Sequence, residues 1–441
     1  MTFILRAFSF SAAALAFFLP LGTVVIVRGA ESQYERALFA ATDVILIAVS
    51  ILGALYWIRS PKRDAALNKT AGYLAVFLAA ATLSLFAIPE ITLANLAVYT
   101  RLLVASWAAF CIAVLPCEKK TTLSALVIAG VLQAGYGIAQ FAFQHIGPIP
   151  LLGVAEHSPL NLGDAVVQTS QMRFLRAYGS FAHPNILGAF LGVCFLVALF
   201  LTQAARGTIH RAALIASTLI LSAGILLSFS RGAWFSLVAA LVASSFAGRW
   251  YARRAQPQSE TSYGSLRVLV FGVLAVCAIF VFSFSDILLS RFGIALDARL
   301  ETRSVEERLA YADEAFSLIR NHPFGLGIGN YVPYLIQRDR TEGSILPFYE
   351  YQPVHTHVLL VFAELGIIGF AVFLAFLFSI IVVIKRRSAA LVYSIPIFRL
   401  ICGVGVFVLV SGLFDHAYWT IPSAVALWWF SIGIALRTHS I

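Results

Sequence analysis

Long apolar runs separated by short charged clusters recur along the whole chain. Each is about twenty residues long, enough for a helix to cross a hydrocarbon core of about 30 Å. Twelve runs are legible, at roughly 8–27, 42–58, 72–88, 94–115, 123–143, 186–201, 212–229, 232–247, 268–284, 358–384, 397–414 and 418–436. Backbone groups in lipid find partners only within helices or closed barrels, and the alternating pattern of barrel strands is missing. The pattern therefore predicts an all-α, polytopic transmembrane protein with about twelve spans, a single integral membrane domain over residues 1–441. The stretch 212–247 counts as two helices, because one would be about 54 Å long. The break falls at Ser228-Phe229-Ser230-Arg231-Gly232. Arg6 and the following run resemble a signal peptide, but the run is long and no small-residue cleavage site follows, so it reads as a retained first span.

The charged clusters set an orientation. With the N-terminus inside, every second loop is basic: Arg59/Lys62/Arg63/Lys69, Lys119/Lys120, Arg206/Arg211, Arg249/Arg253/Arg254/Arg267 and Lys385/Arg386/Arg387. With Arg6 and Arg437, that side holds 17 basic residues against the three acids Asp64, Glu118 and Glu260, while the opposite loops carry 12 arginines and 16 acids. The positive-inside rule thus predicts cytoplasmic termini. Two outer loops are long, 144–182 and 286–354, and long ordered loops are usually functional. Residues 249–266 read as a polar cytoplasmic linker, and no internal repeat is apparent.

Composition agrees. Sixty per cent of residues are apolar and 12% charged, with a mean hydropathy of +0.88, far from the soluble norm. The pI near 9.5 raises nucleic acid as a partner, but the basic residues never form a long surface, so no nucleic-acid binding is expected. Cys111, Cys117, Cys194, Cys277 and Cys402 show no CxxC spacing and an odd total, which predicts neither a disulfide framework nor a thiolate metal site.

Most of the candidate chemistry lies in the outer segments. Ser304-Val305-Glu306-Glu307 fits a capping box, and Leu309, Ala312, Ala315, Phe316 and Ile319 follow at helical spacing, which predicts a helix over 305–320. Arg308 falls inside its apolar arc, either as a structural arginine paired with a carboxylate or as part of a buried anion site. The helix should stop at Asn321-His322-Pro323. Arg231 sits at an outer turn between two apolar helices, where snorkelling to the interface competes with ligand binding. Arg101, inside the fourth run, needs a partner or a water-filled cavity. His355-Thr356-His357 enters the tenth run, with Glu364 about two turns later. Histidine is the usual general base near neutral pH. Two histidines without a third ligand make a poor metal site, and no acidic cluster implies a divalent ion. Asp415-His416 reads equally as an interfacial pair or a functional one. Asn185, following Pro184 at the start of the sixth run, can hydrogen-bond a polar ligand. Fixed arginines beside a base on one face suit a phosphorylated substrate, since arginine binds phosphate bidentately.

At these residues the chain resembles the O-antigen ligase and polymerase superfamily. The motifs are GSFAHPNILGAFL from Gly179, SFSRGAW from Ser228, ERLAYADEAFSLIRNHPFGLGIGN from Glu307 and HTHVLLVFAELGIIGF from His355. They cover the second half of the chain, and the first five runs add little beyond hydropathy. The resemblance implies a glycosyltransferase of the bacterial inner membrane with its active site on the periplasmic side, part of it on the helical loop 286–356. The implied donor is an undecaprenyl diphosphate-linked glycan and the implied acceptor is the lipid A-core. His355 matches the essential histidine, Arg231 and Arg308 the diphosphate-binding arginines, and Asp415 an aspartate before the last helix. Thr356 stands where many relatives have asparagine, so the role of that neighbour does not carry over. Asn185, Arg101 and Glu364 are supporting candidates. No cofactor, metal or nucleotide is implied, and no Walker-type loop is present.

Ligase chemistry is the preferred expectation, with polymerase second and a protein-glycosylating oligosaccharyltransferase third. A polysaccharide or lipid transporter is the alternative from another class, but its key charges should sit near mid-membrane, often in related halves.

Overall fold

The computed structural model describes residues 2–59, 65–115, 118–169, 172–205, 207–254, 263–293, 299–389 and 394–436. The sequence readings at Lys62, Arg63, Asp64, Cys117, Arg206, Glu260 and Arg437, and much of the 249–266 linker, lie outside the described residues. The helices are α1 (Thr2–Phe18), α2 (Ala41–Arg59), α3 (Ala65–Ser84), α4 (Leu93–Val114), α5 (Lys119–Phe143), α6 (Pro184–Ala204), α7 (Thr208–Leu227) and α8 (Arg231–Ala252). They continue as α9 (Tyr263–Ser283), α10 (Ser285–Arg291), α11 (Arg299–Asn321), α12 (Tyr331–Glu342), α13 (His357–Ala389), α14 (Ile395–Ser411), α15 (Ala417–Thr420) and α16 (Pro422–Ala435).

The chain is a polytopic helical membrane protein. Eight helices among the described residues are long and apolar enough to cross a membrane, and a ninth span results if α9 and α10, bent by 86°, are taken together. α1, α14 and α16 are apolar but shorter. Every run read from the sequence falls on one of these helices, though the first is displaced. α1 stops at Phe18, before Pro20 and Gly22. Val24–Arg28 then forms a strand, β1, paired antiparallel with β2 (Ala37–Ala40). Proline interrupts the helix and the β-branched Val24, Val25, Ile26 and Val27 favour an extended backbone. A second hairpin, β3 (Val166–Gln168) with β4 (Arg173–Leu175), lies in the 144–182 loop, so the all-α expectation is corrected by two short sheets.

α6 and α16 form the centre. α6 is buried over 89% of its apolar window, and every residue of α16 is buried. α6 packs on α5, α7 and α14, while α16 packs on α4 and α14. Phe10, Leu132, Phe246 and Phe282 stay exposed on the flanks, as apolar groups facing lipid would.

One loop is docked by its backbone. α13 breaks at Gly366 (φ 67°, ψ −174°), and the segment after α11 packs into the break. Leu326 N–H donates to the Ala363 carbonyl at 2.9 Å, Gly327 N–H to that of Glu364 at 2.8 Å and Ile367 N–H to that of Pro323 at 2.9 Å. A Cβ at Gly325 or Gly366 would collide with the facing backbone, and both residues have positive φ. Only glycine permits this approach.

α11 differs from its expected form. It begins at Arg299, so Ser304 lies inside the helix and caps nothing. Arg308, Ala312, Ala315, Leu318 and Ile319 take the inward positions, whereas Leu309 and Phe316 are exposed. α11 packs on α13, and the small Ala312 and Ala315 lie on its inward face, where the larger Leu309 and Phe316 were also expected.

Candidate active site

The 228–232 turn is built from its own side chains. Ser228 Oγ donates to the Ile225 carbonyl at 2.6 Å, Phe229 adopts a left-handed φ of 47°, and Ser230 Oγ caps α8 by accepting from Ala233 N–H at 3.3 Å. Arg231 is thereby the first residue of α8. Its guanidinium donates to the Arg291 carbonyl at 3.0 Å, and Arg291 Nε donates in turn to the Phe229 carbonyl at 3.1 Å. α10 is held across the turn, with Ser290 hydrogen-bonded to the Gln168 carbonyl of β3.

A second chain of bonds enters from Arg176, which is buried. Its Nε donates to the Ser228 carbonyl at 2.8 Å and its Nη2 to Asn185 Oδ1 at 2.7 Å. Asn185 Nδ2 donates to Asp415 Oδ2 at 3.1 Å, and Ala417 N–H donates to Asp415 Oδ1 at 2.9 Å. One cavity is lined by Asn185, Ser230, Arg231, Arg291, Arg308 and Asp415, among others.

His355 stands beside that cavity and is not among its lining residues. Its ring stacks on Tyr311 at 5.5 Å and meets His416 edge-on at 5.3 Å. Its Nδ1 is buried with no hydrogen-bond partner among the described residues. Burial lowers the His355 pKa below the ordinary imidazole value, Asp415 opposes this and Arg308 reinforces it. The ring is therefore neutral near pH 7 and able to accept a proton. Burial likewise lowers His416 to about 4 and His183 to about 3. For Asp415, burial works upward but is outweighed by His416 and His183 whenever these carry a proton and by the bonds from Ala417 and Asn185, so its pKa lies below the ordinary carboxylate value.

The comparison with known families bears on this region: residues 216–374 match the family model described as O-Antigen ligase. Over these residues, about a third of the chain, the sequence is similar to the O-antigen ligase family. No curated protein matches it in sequence. The matched region runs from within α7 to within α13 and holds Arg231, Arg291, Arg308, His355 and Glu364. Arg176, Asn185 and Asp415 lie outside it, so the cavity joins the matched region to flanking segments.

Of the residues singled out from sequence, Arg231, Arg308, Asn185 and Asp415 line the one cavity. Arg101 and Glu364 are elsewhere, around a second cavity that also includes Tyr34 and Trp419. Arg101 is paired with Asp43 through bonds of 2.9 and 2.8 Å and also donates to the Leu38 carbonyl at 2.9 Å. It has the partner its position requires. Glu364 accepts from Gly329 N–H at 2.7 Å, Tyr331 N–H at 3.3 Å and Trp419 Nε1 at 2.7 Å, tying the loop after α11 to α13 and α15. His357 turns away from His355 and packs against Trp428 at 4.7 Å, so the HxH spacing does not gather two imidazoles. Sequence reasoning missed Arg176 and Arg291. Arg176 stands three residues before the Gly179 motif. Arg291 ends a short segment that continues the ninth run and carried no motif.

Proposed function

We propose that this protein is an O-antigen ligase-type glycosyltransferase. It moves O-antigen polysaccharide from undecaprenyl diphosphate to the lipid A-core acceptor at the periplasmic face of the bacterial inner membrane. The observation that carries the reading is the convergence of Arg231 and Arg308, from separate elements, on one cavity beside the neutral His355.

In this mechanism His355 takes the proton from an acceptor hydroxyl as its oxygen attacks the anomeric carbon of the carrier-linked sugar. The bond from that carbon to the phosphate oxygen breaks, and its electron pair leaves with undecaprenyl diphosphate. Arg231 and Arg308 hold the diphosphate and stabilise the negative charge that grows on it, which favours the transition state over the ground state. Attack opposite the leaving group inverts the anomeric configuration. The leaving carrier supplies the driving force, without metal or nucleotide.

Lipopolysaccharide gels of a strain lacking the protein test the acceptor. Bare core with polymer left on the carrier is the expected result. Core bearing a single repeat would assign the protein as the polymerase, and unchanged lipopolysaccharide would remove both activities.

A further inference from the structure

The cavity holds one more cation than the sequence motifs account for. Arg291 is buried, with 8% of its surface exposed, yet it lines the same cavity as Arg231 and Arg308. The 86° bend between α9 and α10 brings it there, since α10 turns away from the direction of α9 and ends on this residue. The bond from its Nε to the Phe229 carbonyl fixes the plane of the guanidinium, and its own carbonyl accepts from Arg231. Arg231 is thus held by the backbone of Arg291, and Arg291 by the backbone of the turn that precedes Arg231.

A polyprenyl diphosphate-linked sugar is a diphosphate diester with one ionised oxygen on each phosphate, and each phosphate presents oxygens to which a guanidinium fork can donate.

We propose that Arg291 is a third diphosphate-binding residue. Resting on the donor assignment above, this divides the carrier's two phosphates among Arg231, Arg291 and Arg308. The guanidinium anchored at Phe229 is pre-organised and loses little freedom on binding.

The test uses the full-length protein in lipid nanodiscs, titrated with undecaprenyl diphosphate, with Arg291→Gln compared against Arg231→Gln. Arg291→Gln should weaken binding about tenfold and reduce the rise in unfolding temperature that the lipid produces. A purely structural role would lower the unfolding temperature of the unliganded protein and leave affinity and the ligand-induced rise intact. A loss of affinity below threefold for Arg291→Gln, with binding lost in Arg231→Gln, overturns the third-ligand role alone. Unchanged affinity in both variants overturns the diphosphate reading with it. If Arg291→Gln does not fold, Arg291→Lys takes its place, and the same threefold limit applies.

Discussion

Asn185 donates to Asp415 across 3.1 Å and links two residues 230 positions apart in the chain. The amide is oriented, because its oxygen already receives Arg176. Asn185→Asp would set two carboxylates against each other, so that one must take up a proton or move. The variant should fold, held by the remaining contacts of α6, and transfer glycan at least about tenfold more slowly, the size expected when a positioned group is lost. Wild-type turnover would show that the Asp415 carboxylate is not needed in this position.

His355→Ala should abolish transfer and leave undecaprenyl diphosphate binding within about threefold, since the base is needed for proton removal and not for holding the carrier. Full activity would remove His355 as the base. The wild-type pH profile gives a second check. Because burial lowers the His355 pKa, the ring stays deprotonated down through the ordinary imidazole value of about 6.5. The acid limb of kcat/KM should therefore lie below that pH, and a limb above it would contradict the assignment.

Arg308→Lys retains a charge but not the planar fork that grips two phosphate oxygens. Donor affinity should fall about tenfold and turnover about a hundredfold, within the range for loss of one charge-stabilising donor. Unchanged donor affinity with normal turnover would reduce Arg308 to a structural residue of α11.

Stability should decline on acidification. His416 and His183 are neutral when folded, with pKa values lowered to about 4 and about 3, whereas the unfolded chain binds their protons below about 6.5. Protons thus favour unfolding as the pH drops from about 6.5 toward 4, and below about 4 the lowered pKa of Asp415 continues the trend. Unfolding temperatures measured across this interval should fall, and His416→Gln should flatten the slope. A flat wild-type profile would contradict neutral burial of these rings.

Glu364→Ala would leave Gly329 N–H, Tyr331 N–H and the Trp419 indole without their acceptor. Each unsatisfied buried donor costs about 1–3 kcal/mol, so a large drop in unfolding temperature is expected, and Glu364→Gln should recover part of it. A variant as stable as the wild type would show that the loop after α11 is held by other means.

Hydropathy exposed the bundle because lipid-facing and core helices are both apolar, and it placed a helix on every long run. It could not place Val24–Val27, where Pro20 and Gly22 were the available signals of a break. Arg231 and Arg308 were legible because each interrupts a pattern: a polar turn between apolar runs, or a charge on an apolar arc. Arg101 and Glu364 interrupt patterns too, yet their partners Asp43, Gly329, Tyr331 and Trp419 are distant in the chain, and spacing carries no record of them. Arg291 was hidden for the opposite reason, since its place depends on a bend that hydropathy does not register.

The peptide clip between the 323–327 segment and the break at Gly366 gives α11 mechanical character. Arg308 lies about 20 Å from the clipped end of the helix, so a swing of about 10° would carry its guanidinium about 3.5 Å. That is more than the length of a hydrogen bond to phosphate. A helix clipped at one end in this way turns a small rotation at its glycines into a displacement of that size at Arg308.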